Sequence, residues 1–81
     1  MEINLELYKV FYEVATHKNI SKTAEYMNIS QPAITQSIKK LENILGLPLF
    51  YRKNKGVELT EEGKILLEHI KDSIETINNS Q

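Results

Sequence analysis

The 81-residue sequence contains no cysteine, which excludes disulfide bonds and thiolate metal sites. It has no apolar run near the roughly 20 residues that a membrane-spanning helix needs, and its first residues do not resemble a signal peptide. Only His17 and His69 could act as imidazole bases, and the sequence shows no catalytic carboxylate pair, glycine-rich phosphate loop or nucleophile elbow. We therefore predict a cytoplasmic protein that is not an enzyme and uses no metal, cofactor or membrane.

Positive charge is in slight deficit overall but is concentrated in the middle of the chain. The net charge is −1. Residues 18–55 hold six lysines and one arginine against two glutamates, a net charge of +5, whereas residues 1–17 carry −2 and residues 56–81 carry −4. A basic block of this kind is the electrostatic footprint of a nucleic-acid-binding protein.

Residues 21–41 have the pattern of two short helices joined by a tight turn. Asn28 tolerates the left-handed backbone that such a turn requires, and Ile29 is expected to be a buried plug behind it. Ser30 is a good N-cap for the second helix. Pro32 falls in the first turn of that helix, where its missing N–H costs nothing. The arrangement is typical of a helix-turn-helix.

The second helix has one apolar stripe and one polar face when its residues are placed at about 100° intervals. The stripe predicted to be buried consists of Ile34, Ile38, Leu41 and Leu45. The polar face carries short side chains first and basic ones later: Pro32, Thr35, Gln36, Lys39 and Asn43, with Gln31 and Lys40 at its edges. A DNA-reading helix has this order, because its N-terminal residues reach bases and its basic residues meet phosphates.

A basic hairpin is predicted after the second helix, which Gly46 ends. Its strands are residues 49–52 and 57–59, and residues 53–56 form the tip. Basic side chains lie at or beside that tip: Arg52, Lys53 and Lys55. We interpret the hairpin as a wing that lies along phosphates or enters the minor groove; the alternative is a solvated loop.

One further helix is predicted on each side. Residues 4–17 form the first, with the core stripe Leu7, Phe11, Val14 and Ala15. Its second apolar line is either the edge of the core or a subunit contact: Leu5, Tyr8 and Tyr12. A last helix of about 18 residues follows the cap Thr60 and has coiled-coil spacing at Leu67, Ile70, Ile74 and Ile77. Because that stripe runs beyond the small core, we predict that it pairs with a second copy of the chain.

The sequence resembles the N-terminal DNA-binding domain and linker helix of LysR-type transcriptional regulators. The resemblance covers nearly the whole chain and rests on residues that match in order: Phe11, Val14, Ala15, Ser21, Ala24, Ser30-Gln31-Pro32-Ala33, Ile38, Leu41-Glu42, Leu45-Gly46, Leu49-Phe50, Arg52, Leu59-Thr60 and Gly63. Thr23 departs from the alanine usual in the family, and Gln36 from the arginine that many members carry. The implied fold is mainly α: a winged helix-turn-helix over residues 1–59, with a three-helix core and a two-stranded wing, and a long linker and dimerisation helix over residues 60–81.

The resemblance also implies a bacterial transcription factor that binds an interrupted inverted repeat as a homodimer, or as a tetramer in the full-length protein. The residues expected to face bases are Gln31, Pro32, Thr35 and Gln36. Those expected to meet the DNA backbone or minor groove are Lys22, Ser30, Lys39, Lys40, Arg52, Lys53 and Lys55. An effector-binding domain for a small molecule would lie outside this sequence, which we interpret as a fragment. The alternative is a winged-helix protein-interaction module without DNA binding, which would not need the +5 block.

Overall fold

The computed structural model describes residues 4–54 and 56–79, with the side chains of residues 4–54 and 56–72. Its elements are α1 (Leu5–His17), α2 (Ile20–Met27), α3 (Gln31–Leu45), β1 (Phe50–Lys53), β2 (Gly56–Leu59) and α4 (Glu61–Asn79). The predicted mainly α, winged helix-turn-helix fold is confirmed. No helix within the described residues is long and apolar enough to cross a membrane.

The first three helices begin at side-chain caps and end at left-handed residues. Asn4 is extended, with φ −97° and ψ 96°, and its side chain accepts backbone N–H groups. It is therefore the cap of α1, and the helix begins at Leu5, one residue later than predicted. Asn19 caps α2 by accepting the N–H of Lys22 at 2.8 Å. The left-handed residues at the helix ends are Lys18, Asn28 and Gly46.

The core lies where α1, α2 and α3 pack together. Its buried side chains are Leu7, Val10, Phe11, Val14, Ala24, Ile34, Ile38, Leu41 and Leu49. The predicted stripe on α3 is confirmed at its first three positions, whereas Leu45 is only partly buried. The ring of Phe11 lies 5.4 Å from that of Phe50. Helix α1 therefore packs against the wing in addition to packing against α3.

Thr23, the departure from the family's usual alanine, is fully buried. Its hydroxyl donates to the carbonyl oxygen of Asn19 at 2.8 Å and lies 3.5 Å from that of Glu13 on α1. A buried hydroxyl is costly only when it lacks a partner. The helical backbone supplies that partner here, so α2 packs against α1 without an unsatisfied polar group at this position.

The two strands pair antiparallel, with Phe50 opposite Leu59 and Arg52 opposite Val57. The first strand begins one residue later than predicted, at Phe50, and the N–H of the preceding Leu49 is bonded to the side chain of Glu42. The second begins one residue earlier, at Gly56, which pairs with Lys53. The wing is therefore a short ladder whose first strand is attached to α3.

Helix α4 begins at the predicted cap, since Thr60 Oγ1 accepts the N–H of Gly63 at 2.9 Å. Leu67 and Ile70 are half-buried and pack against the domain's own core, because α4 returns along α1. Their own domain therefore covers part of these two side chains, and their role in a dimer contact stays a prediction. The side chains of Ile74 and Ile77, the other two predicted dimer contacts, lie outside the described residues.

The second apolar line of α1 was predicted to be either the edge of the core or a subunit contact, and its residues differ in burial. Tyr8 is half-buried and packs against the core, and Tyr12 is half-buried. Leu5 is 61% exposed. Tyr8 therefore forms the edge of the core, while Leu5 remains available for a subunit contact.

Candidate nucleic-acid interface

The turn between α2 and α3 is built from backbone hydrogen bonds. Asn28 has φ 61° and donates its N–H to the carbonyl oxygen of Glu25 at 3.2 Å. The N–H of Ile29 donates to the carbonyl oxygen of Ala24 at 3.0 Å. The side chain of Ile29 is 37% exposed, so the expectation of a buried plug was wrong. The backbone of this residue, rather than its side chain, closes α2.

Helix α3, called the recognition helix below, presents the four predicted base-contacting residues together. They line one shallow surface depression: Gln31, Pro32, Thr35 and Gln36. Thr35 is half-buried and the other three are exposed. The Gln31 amide lies 3.4 Å from the Ser21 hydroxyl on α2, to which it donates. The N-terminal half of α3 therefore offers amide, hydroxyl and apolar groups on one accessible face.

The recognition helix and the wing meet at a small cavity of about 70 Å³. Its walls include Thr35, Lys39 and Glu42 of α3, and the wing adds Arg52 and Val57. Lys39 and Arg52 come from distant parts of the sequence, and the fold brings them to the same cavity. Both side chains are exposed to solvent, so two cations border the groove between α3 and the wing.

The described basic residues of the wing have different neighbours. Lys53 Nζ lies 3.1 Å from a carboxylate oxygen of Glu58, and the two side chains are 58% and 59% exposed. Arg52 alternates with Lys53 along β1 and borders the cavity beside α3. Part of the wing's positive charge is thus already paired. Lys55, also predicted to meet DNA, lies outside the described residues.

The remaining predicted backbone contacts are dispersed. Lys22 and Lys40 are exposed on α2 and α3, but neither lines the depression or the cavity. Ser30 caps α3, and its hydroxyl oxygen accepts the N–H of Ala33 at 3.2 Å. Its O–H stays available as a donor. These residues lie on α3, at its N-cap or on α2, outside the depression and the cavity.

Two features of this surface were missed by sequence reasoning. A second cleft brings Asn19 and Ser21, at the start of α2, beside Arg52 and Lys53 of the wing. The carboxylate of Glu42 binds the backbone at the start of β1. Each of these features brings together residues from separate elements, and no local pattern in the sequence indicates such contacts.

The two histidines lie on different helices, α1 and α4. His17 of α1 is 3.5 Å from the carboxylate of Glu13, and its ring lies 5.0 Å from that of Tyr26. His69 is exposed on α4. Within the described part of the chain, no group of three or more His, Asp or Glu side chains is placed to hold a metal ion.

Known proteins match this chain in sequence. Residues 5–64 match the family described as "Bacterial regulatory helix-turn-helix protein, lysR family". The HTH-type transcriptional regulator GltR of Bacillus subtilis (strain 168) is 37% identical over 79 residues, which are 98% of this chain and 27% of GltR. The HTH-type transcriptional regulator BudR of Klebsiella aerogenes is 41% identical over 66 residues, which are 82% of this chain and 46% of BudR. The chain thus spans less than half the length of either relative.

Solved structures show the same fold. The CbnR DNA-binding domain in complex with DNA is 33% identical and has a TM-score of 0.86, over 96% of this chain and 90% of that one. The BenM DNA-binding domain in complex with benA site 1 DNA has a TM-score of 0.88 over 96% of this chain and 91% of that one. At 24% identity, the second likeness concerns the fold alone. The family match and the shared fold establish that this chain belongs to the lysR family of bacterial regulatory helix-turn-helix proteins.

Proposed function

We propose that this chain is the sequence-specific DNA-binding domain of a bacterial transcriptional regulator. Helix α3 would enter the major groove, and the wing would lie on the backbone or in the minor groove. The observation that carries the proposal is the exposed depression at the start of α3, which has Lys39 and Arg52 beside it. The likeness to the CbnR DNA-binding domain, solved with DNA at 33% identity, supports it. Both observations favour DNA binding over the protein-interaction alternative.

The residues of this surface suit distinct contacts. Gln31 and Gln36 can each donate to and accept from an adenine edge, and Thr35 and Pro32 offer apolar surface to a thymine methyl. Charge contacts with phosphates would come from Lys22, Lys39, Lys40, Arg52, Lys53 and Lys55, and a hydroxyl contact from Ser30. Phosphate contacts set affinity and register, while base contacts set sequence preference. Substitution of a phosphate-contacting residue should therefore change affinity for all sequences, whereas substitution of a base-contacting residue should change sequence preference.

We further propose that two copies bind an interrupted inverted repeat, with residues 60–81 as the linker and dimerisation helix after a domain of residues 1–59. The described backbone of α4 continues nine residues past Ile70, the last described residue that packs against the core. At about 1.5 Å per residue, this extension is roughly 14 Å long. A cytoplasmic location, a tetrameric full-length form and a C-terminal effector domain are parts of the same proposal.

Replacing Gln36 with alanine is expected to relax base choice at one position of the operator. A lost bidentate contact costs roughly 1–3 kcal/mol at its own base pair. Sites selected from random duplex DNA give the operator, and binding to its single-base variants measures the effect. Asn43→Ala is the matched control, because Asn43 is an exposed amide two turns further along α3, outside the depression. A Gln36→Ala variant that keeps the full preference at every base pair would contradict the assigned role of α3.

Replacing Lys53 with glutamine is expected to lower affinity for all DNA sequences alike. Each lost phosphate contact reduces the dependence of log K on log salt by about 0.9. Glu58→Gln should act in the opposite direction, because it releases Lys53 from its ion pair. Lys64→Gln is the control, since Lys64 has a similar ion pair with Glu61, at 3.6 Å, on α4. If Lys53→Gln leaves the salt dependence unchanged, Lys53 does not contact DNA.

A further inference from the structure

Glu42 joins the last turn of α3 to the start of the wing. Its Oε2 accepts the backbone N–H of Leu49 at 2.7 Å and that of Phe50 at 3.4 Å. Its carbonyl oxygen accepts the N–H groups of Gly46 at 2.7 Å and Leu47 at 3.2 Å, which close the helix. Glu42 therefore accepts hydrogen bonds both from the end of the recognition helix and from the start of the wing's first strand.

This contact lies beside the cations that border the interface. Lys39 precedes Glu42 by about one turn of α3. Arg52 follows Phe50 by two residues on β1, so the two side chains share a face of the strand. The side chains of Lys39, Glu42 and Arg52 all line the 70 Å³ cavity. The place of Arg52 relative to α3 therefore depends on where β1 begins.

The second strand is attached elsewhere. Val57 donates its N–H to the carbonyl oxygen of Lys18 at 3.2 Å, at the corner between α1 and α2. Gly56 passes so close to this carbonyl that a Cβ atom would overlap it. This contact holds β2 near the tip. Among the described side chains, Glu42 alone makes a hydrogen bond from α3 to the start of β1.

We propose that Glu42 is a positioning residue for DNA binding: its carboxylate sets the place of Arg52 relative to the recognition helix. The inference rests on the proposed DNA binding. The effect on DNA affinity that it predicts for loss of the Glu42 carboxylate is opposite in sign to the effect of the lost charge alone. Removing a carboxylate near phosphates strengthens DNA binding electrostatically, whereas losing the Leu49 contact displaces Arg52 and weakens it.

Three substitutions in the 81-residue chain separate charge from position. Glu42→Ala removes both the charge and the acceptor, Glu42→Asp keeps the charge on a shorter side chain, and Glu42→Gln keeps an acceptor at full length. We expect the alanine and aspartate variants to bind the selected operator about tenfold more weakly, as for one charge-assisted contact. Their salt dependence should fall by about 0.9. Glu42→Gln should bind at least as tightly as the wild type, because it keeps an acceptor and removes a negative charge near the phosphates. Preference at the Gln36 base pair should persist in all three.

Combining these variants with Arg52→Gln tests the coupling directly. Arg52→Gln should weaken wild-type binding about tenfold but should have little further effect in the Glu42→Ala or Glu42→Asp background. Glu62→Ala, which removes an exposed carboxylate on α4, is the control for net charge and should not weaken binding. All affinities are measured at a temperature at which circular dichroism shows folded protein. If the alanine variant does not fold, the aspartate and glutamine variants decide the question.

Two results would separate failure of this inference from failure of DNA binding itself. Glu42→Ala and Glu42→Asp variants that are folded, bind as tightly as the wild type and keep the full Arg52 effect would show that Glu42 only stabilises the fold. A wild-type chain that selects no DNA sequence would instead contradict the proposed function.

Discussion

Replacing Gly63 with alanine is expected to destabilise this domain by at least about 2 kcal/mol, because the added methyl group has no space. A Cβ atom at this position would overlap the carbonyl oxygen of Leu49 and lie 2.9 Å from Leu59 Cδ2. The first neighbour is backbone, which cannot rotate away as a side chain can. In an exposed helix the same substitution would stabilise the protein by up to about 1 kcal/mol. The neighbours of Gly63 therefore reverse the sign of its effect on stability.

The reason for glycine at this position is the cap of α4. Thr60 donates its own N–H to the Leu49 carbonyl at 3.0 Å and its hydroxyl to the Pro48 carbonyl at 2.8 Å. In a capping box, a Glu or Gln three residues after the cap reaches back to the N–H of the capping residue. Here the Leu49 carbonyl takes that N–H and occupies the space in which a side chain of residue 63 would begin.

Thermal unfolding measures the effect. For a domain of this size, each kcal/mol shifts the midpoint by about 4–8 °C, so Gly63→Ala should lower it by about 10 °C. Gly46→Ala is the control, because Gly46 has φ +75° and no neighbouring atom within 4 Å of an added Cβ. That variant suffers only left-handed backbone strain of roughly 1–2 kcal/mol. A Gly63→Ala variant with wild-type stability would show that the Leu49 carbonyl can move aside.

Replacing both Ile74 and Ile77 with glutamate is expected to convert a dimer into a monomer and to abolish high-affinity operator binding. The two positions continue the 3-4-3 spacing of apolar residues along α4. Ile70 is a poor choice for this test, because it packs against the domain's own core and its substitution would also destabilise the monomer. Charged groups in a seam between two helices lose hydration without a partner, which opposes association.

The expected loss of operator affinity is large, because in the proposed dimer two linked DNA-binding domains bind the two half-sites of the operator at once. Joining two binding modules raises apparent affinity by about 10²–10⁴-fold without any new contact. A monomer loses this gain at the operator, whereas its non-specific binding falls much less. Sedimentation of both proteins and binding to an operator and to a single half-site provide the measurements.

Thr76→Glu with Asn79→Glu is the matched control for this experiment. It adds the same two charges at the same spacing of three residues, on the helical face opposite the apolar stripe. This control should remain dimeric. A wild-type chain that is monomeric at high micromolar concentration would contradict the proposed dimer and leave the lysR-family fold and its recognition helix unaffected.

Most of the helix-turn-helix could be predicted from the sequence because its signals are local. Asn28, Ser30 and Gly46 each act within a few residues of their own position, through a left-handed turn, an N-cap and a C-cap. The apolar stripe of α3 repeats with the helical period. Solvent exposure was less predictable: Ile29 is partly exposed and Thr35 is half-buried. Exposure depends on which neighbouring element covers a side chain.

The sequence by itself therefore determined the family, the order of the elements and the residues that the recognition helix presents to its surroundings. The family follows from the resemblance of residues that match in order, whereas the order of the elements and the residues presented by the recognition helix follow from caps, turn residues and periodicity, whose energies involve neighbours in the chain. Only the tertiary structure decided that Glu42 holds the wing, that Glu58 pairs with Lys53, and that Leu67 and Ile70 pack against their own domain. These contacts are made by residues from different strands and helices, or from an element and the core. Their partners meet only after the chain has folded, so they leave no periodic or local signal in the sequence.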